Sequence, residues 1–158
     1  MKFQIFNTVI PNQQPEDDTG NREYKLYLAH GYVIGQPIEK AAKSFNENVK
    51  NGNITRRMRK SQLYSSETDK YNRRATQLLY RLTMGCGKAL YIIGISDCGN
   101  TCGIYLPILF KSLIYLFEVV KIADVNIKAI RIYKGQKEHS FVATIRLEQN
   151  IKSDNYIL

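Results

Sequence analysis

Tyr24, Leu26 and Leu28 alternate with Lys25 and Tyr27, a period of two that predicts a half-buried strand over 23–29. Further on, Ala75, Leu78, Leu79 and Leu82 recur at helical spacing, with Arg73, Arg74, Gln77 and Arg81 outside that stripe. This pattern predicts a helix capped by Ser66 or Thr68 and running to about Met84. Gly85 ends it, and Gly85-Cys86-Gly87 reads as a helix C-cap and tight turn. In 88–96, Ala89, Tyr91, Ile93 and Ile95 alternate with Leu90 and Ile92, as expected of a central strand. Asp97, Gly99 and Asn100 supply hairpin chemistry, so 101–106 is expected to return antiparallel to that strand. Pro107 suits the first turn of a helix to Ala123, in which Leu109, Leu113, Leu116, Val120 and Ala123 keep the repeat. Two more alternating segments, 126–133 and 140–148, flank a turn of Lys134, Gly135, Gln136 and Lys137.

The element order is therefore βαββαβ with an additional C-terminal strand. It predicts an α+β, ferredoxin-like sandwich: an antiparallel sheet with both helices on one face, burying Leu78, Leu82, Leu113 and Leu116. Fold alone does not assign function, because this arrangement carries many unrelated ones.

Composition adds one bound and charge adds another. At 158 residues with 44% hydrophobic content, the chain fits one domain over 23–149 whose core needs no disulfide or metal. Its formal charge is +9, from 23 Lys and Arg against 14 Asp and Glu, which favours an anionic partner. The excess is local: residues 40–81 hold 11 basic and 3 acidic side chains. Residues 31–67, rich in Asn and Gly, read as a long, basic, partly mobile insertion. Within it Arg56, Arg57, Arg59 and Lys60 form a compact cluster able to neutralise phosphates from a flexible segment, while Arg73 and Arg74 present the same charge on a helix. The competing account is a solvated linker that keeps the protein soluble. Residues 1–22, with Pro11, Pro15, Glu16, Asp17, Asp18 and Gly20, read as an acidic extended leader, and 150–158 as a tail.

Several kinds of chemistry find no support. No phosphate-cradling Gly-x-x-x-x-Gly-Lys-Ser/Thr motif occurs, and Gly85-Cys86-Gly87-Lys88 is too short for one. His30 and His139 lie in no triad motif, so no catalytic residue is assigned. Cys98 and Cys102 have knuckle-like spacing, but a second ligand pair would need Cys86 and His139 to approach, so all three cysteines read as structural thiols and no metal is expected. The apolar run 104–120 is broken by Pro107, Lys111 and Glu118, which argues against a membrane span. Without an apolar leader at 1–10, a cytoplasmic protein is expected. The stacking strand of an RNA-recognition module is missing too, since 101–106 has a single aromatic, Tyr105.

Two segments together resemble the amino-terminal region of the GTP-binding protein 1 and 2 subfamily of elongation factor Tu-like translational GTPases. Pro15-Glu16-Asp17-Asp18, Gly20-Asn21 and Glu23-Tyr24-Lys25-Leu26 resemble its acidic leader and first strand. Arg81-Leu82, Gly85, Gly87, Ala89, Tyr91, Ile93-Gly94, Asp97 and Gly103 follow at that family's spacing. The resemblance implies a non-catalytic accessory domain, with the tail leading toward a GTPase domain beyond Leu158. GTP and magnesium would belong to that domain, so no cofactor residue is assigned in this chain. It further implies that domain and the ribosome, rRNA or tRNA as partners. A free-standing basic RNA-binding module and a small-ligand regulatory domain remain as alternatives.

Overall fold

The computed structural model describes residues 1–28 and 56–150, with side chains described from residue 70 onward in the second stretch. Among the described residues seven elements follow one another: β1 (Lys2–Val9), β2 (Arg22–Lys25), α1 (Arg56–Met84), β3 (Lys88–Ile93), α2 (Leu106–Ala123), β4 (Val125–Lys134) and β5 (Phe141–Gln149). The protein is thus mixed α+β, with one five-stranded sheet in the order β1-β4-β5-β3-β2.

The sheet is mixed, which corrects the antiparallel expectation. β1 pairs with β4 and β2 with β3 in parallel, and only β5 runs against its neighbours β3 and β4. Two segments account for the difference. Lys2–Val9, read as leader, becomes an edge strand whose Lys2 and Gln4 lie opposite Ala129 and Arg131. Residues 101–106 make only an isolated bridge, Ile104 to Phe141, instead of a hairpin strand. The Gly103 N–H still donates to the Gly94 carbonyl just past β3, but the rest is held elsewhere: the Thr101 hydroxyl donates to the Ile10 carbonyl, and Gly103 packs so closely on the 135–140 turn that a Cβ there would sit 2.3 Å from Ser140 Oγ.

Both helices cover one face of the sheet. Their buried stripes, Ala75, Leu78 and Leu82 on α1 with Leu109, Leu113, Leu116 and Val120 on α2, share one core with Tyr91, Ile93, Ile130, Ile132, Ile145 and Leu147. All four leucines expected in the core are buried. The opposite face holds a smaller cluster of Ile10, Tyr24, Ile92, Ile95 and Val142 at one end.

The α2 boundaries follow from its chemistry: Pro107 sits in the first turn, and Asp124 ends the helix in the left-handed region with its N–H on Lys121 and Val120 carbonyls. α1 begins well before the expected Ser66 or Thr68 cap. The part of the expected insertion at 31–55, the His30 side chain and the tail at 151–158 lie outside the described residues.

Arg81, near the end of α1, ties the leader to this scaffold. Its Nε donates to Glu23 Oε2 at 2.7 Å, and Nη1 donates to the Asp17 and Gly20 carbonyls at 2.6 and 2.7 Å. Arg81 and Glu23 are only 4% and 2% exposed, so the charges are held by each other and by these carbonyls instead of by water. Burial holds the Glu16 carboxyl above its ordinary pKa, even though the Tyr24 N–H donates to it. Asp17 shifts the other way, because the Thr19 N–H and hydroxyl both donate to it. No helix among the described residues is long and apolar enough to cross a membrane.

Candidate nucleic-acid interface

The same helix that buries Leu78 and Leu82 turns Lys70, Arg73, Arg74 and Gln77 to another side, at spacings of three, four and seven residues from Lys70. These side chains form one wall of a groove of about 720 Å³. Tyr27 and Leu28, just past β2, and Tyr115 of α2 form the other, with Thr76 and Tyr80 completing the lining. Two contacts fix the second wall: the Leu28 N–H donates to Ser112 Oγ at 2.9 Å, and Tyr71 stacks on Tyr115 with ring centres 4.7 Å apart.

Among the described residues three cations and three tyrosines line the groove, and no carboxylate does. Arg74 Nη1 reaches Gln77 Oε1, a neutral partner, at 3.4 Å. Among the described residues neither Lys70, Arg73 nor Arg74 makes an ion pair with a carboxylate. Burial pushes the Tyr115 phenol above its ordinary pKa and the adjacent Arg74 opposes that rise, so Tyr115 is a neutral hydroxyl at physiological pH. Tyr80 is half exposed, and its hydroxyl donates to the Asp18 carbonyl, which holds the ring at the mouth. Such a groove can place a phosphate against the guanidinium groups while presenting aromatic rings to a base or sugar.

Of the residues singled out from the sequence, Arg73 and Arg74 therefore share one surface. Arg56, Arg57, Arg59 and Lys60 fall in the first turns of α1, within the stretch read as a basic insertion. Their side chains lie outside the described residues. The sequence pattern did not single out Lys70, Tyr27, Tyr80 or Tyr115. Lys70 and Gln77 were within reach, since they stand three residues before Arg73 and three after Arg74 on a polar helical stripe. Tyr27 and Tyr115 carried no local signal, because only tertiary packing brings them to α1.

Among the described residues no group of three or more His, Cys, Asp or Glu is placed to hold a metal ion. Cys86, Cys98 and Cys102 are free thiols. His139, at a left-handed turn position, lies 3.5 Å from the exposed Glu138 carboxylate.

Comparison with protein-family models, with curated proteins and with solved structures finds no match to this chain.

Proposed function

We propose that this chain is a non-catalytic, RNA-contacting accessory domain of an elongation factor-like GTP-binding protein in the cytoplasm. Its own downstream GTPase domain would be one partner and ribosomal or transfer RNA the other. The groove between α1 and α2 is the observation that carries the RNA part: Lys70, Arg73 and Arg74 face Tyr27, Tyr80 and Tyr115, with no carboxylate in the lining among the described residues. Phosphate neutralisation by these cations supplies affinity without sequence selection, and the rings supply stacking that any base accepts.

The family part rests on the two resembling segments, and Arg81 supplies a physical reason for their occurring together. Its guanidinium, from the second segment, holds Asp17, Gly20 and Glu23 of the first. The ferredoxin-like assignment is proposed on the β3–α2–β4 unit, whose two strands run the same way with β5 between them.

Titration of a labelled oligouridylate into the protein over a range of salt concentrations tests the RNA reading. Lys70→Glu with Arg73→Glu should weaken binding by about tenfold or more and flatten the salt slope by roughly 0.7 for each phosphate no longer neutralised. Both side chains lie outside the buried stripe, so the melting temperature should move little. An unchanged affinity and slope in the folded double variant defeats the proposal. A free-standing RNA-binding module is the second reading, favoured by the same groove and separated from the first by whether a GTPase domain follows in the gene.

A further inference from the structure

We infer that the face of the sheet opposite the helices is a second, separate surface for the sugar-phosphate backbone of single-stranded RNA. Strand register alone builds it. One row of side chains crosses all five strands as Lys2, Ala129, Arg146, Leu90 and Arg22. The next row contains Arg131 beside Thr144, and the row on the other side pairs Lys88 with Glu148. Four interstrand spacings separate Lys2 from Arg22, a span of about 19 Å.

Five cations thus stand on this face, Lys2, Arg22, Lys88, Arg131 and Arg146, and the rows contain one carboxylate, Glu148. The whole chain has 23 basic against 14 acidic residues, so the face is far more one-sided than the composition requires. Lys2, Arg22, Lys88 and Arg146 are exposed. Among the described residues none of the five is ion-paired. The Nε of Arg131 is buried without a hydrogen-bond partner. Like charges gathered on adjacent strands cost stability, and a polyanion laid across them removes that cost.

The residues between the cations decide the kind of polyanion. Ala129, Thr144 and the half-buried Leu90 give a low floor between the cations, and the neighbouring rings on this face, Phe6 and Tyr133, are half-buried and stacked on each other with centres 4.9 Å apart, so the contact is to the backbone. An anionic membrane would need exposed apolar side chains on the same face. The exposed Phe3 and Ile5 alternate onto the helix-bearing side of β1, while Phe110 and Ile114 belong to α2. At the other end of the face, Ile10 and Tyr24 close the small second core with Ile92 and Val142. The basic rows are the part left uncovered.

This surface lies across the sheet from the groove and does not depend on the groove's assignment. Labelled oligouridylate again serves as the probe, with Lys2→Glu, Arg22→Glu and Arg146→Glu combined in one variant and Lys70→Glu with Arg73→Glu in another. The sheet variant should weaken binding by about tenfold or more and flatten the salt slope by roughly 0.7 for every phosphate that these side chains cease to neutralise. Combining both sets should flatten it further than either alone. If the sheet variant loses affinity and the groove variant does not, the groove reading fails and this one stands. If the folded sheet variant binds oligouridylate with unchanged slope, the inference is overturned. It is also overturned if the same charges mediate binding to phosphatidylserine vesicles and none to RNA. Should charge reversal prevent folding, Lys2→Gln, Arg22→Gln and Arg146→Gln provide the same comparison at a smaller expected shift.

Discussion

At the end of α1 the backbone places two different requirements on adjacent residues. The Gly87 N–H donates to the Leu82 carbonyl at 2.7 Å and the Cys86 N–H to Thr83 at 3.3 Å, the pair of bonds that closes a Schellman motif. The left-handed position in that motif is Cys86, with φ of 53°, and not Gly85. Gly85 is needed for a different reason, because a Cβ there would lie 1.8 Å from the Lys88 carbonyl oxygen and 2.7 Å from Asn21 Cβ. The neighbouring positions therefore predict opposite signs. Cys86→Gly removes the steric cost of a side chain in the left-handed region and should stabilise the protein by about 0.5–1 kcal/mol. Gly85→Ala should destabilise it, since the clash is with backbone that cannot rotate away. Urea unfolding of the two variants checks both, and equal signs would show that the turn is built differently.

Between elements, the Arg81–Glu23 pair is the contact that fixes α1 against β2 and the leader. Removing Arg81 takes the Nε donor from the buried Glu23 carboxylate and leaves it Lys25 Nζ at 3.0 Å, so Arg81→Ala should cost about 3 kcal/mol, the low end for breaking a buried pair. In a double-mutant cycle with Glu23→Ala, the combined loss should be smaller than the sum of the two, and strict additivity would deny the pair its role. Arg81 was visible in the sequence only as a polar residue at the margin of an apolar stripe. Its partners lie some 60 residues earlier in the chain, which periodicity cannot reveal. α2 was legible nearly to the residue because Leu109, Leu113, Leu116 and Val120 carry the helical period themselves. The start of α1 was not. Its first turn has no acidic residue and opens on Arg56 and Arg57, cations set at the positive end of a helix dipole, so the usual N-terminal signals are reversed. β1 escaped for another reason: it is a sheet edge exposed along most of its length, and parallel pairing with β4 defines it more than any buried side of its own. The site shows the same division, with Arg73 and Arg74 readable from charge and helical phase while Tyr27 and Tyr115 depend on packing.

Across the whole molecule, stability is concentrated around β5 and thins toward β1. β5 is the one strand antiparallel to both neighbours, and it carries Ala143, Ile145 and Leu147 into the main core and Val142 into the second. β1 sends no buried residue into the main core, leaves Phe3 and Ile5 exposed, and breaks register with β4 between Ile5 and Val9. Its principal fastening to the opposite face is the stack of Phe6 on Tyr133, with ring centres 4.9 Å apart. Local opening of β1 should therefore need far less free energy than opening of β5, which has to expose both cores at once. Native-state hydrogen exchange should show the β5 amides exchanging only through global unfolding and the β1 amides exchanging through a smaller, separate opening. Replacing Leu116, fully buried against this core, with Ala should cost about 2–5 kcal/mol and lower protection in β5 by that amount, while β1 protection changes less. Equal protection of the two strands, lost together in Leu116→Ala, would make β1 part of the cooperative core and refute a sheet whose stability is centred on β5.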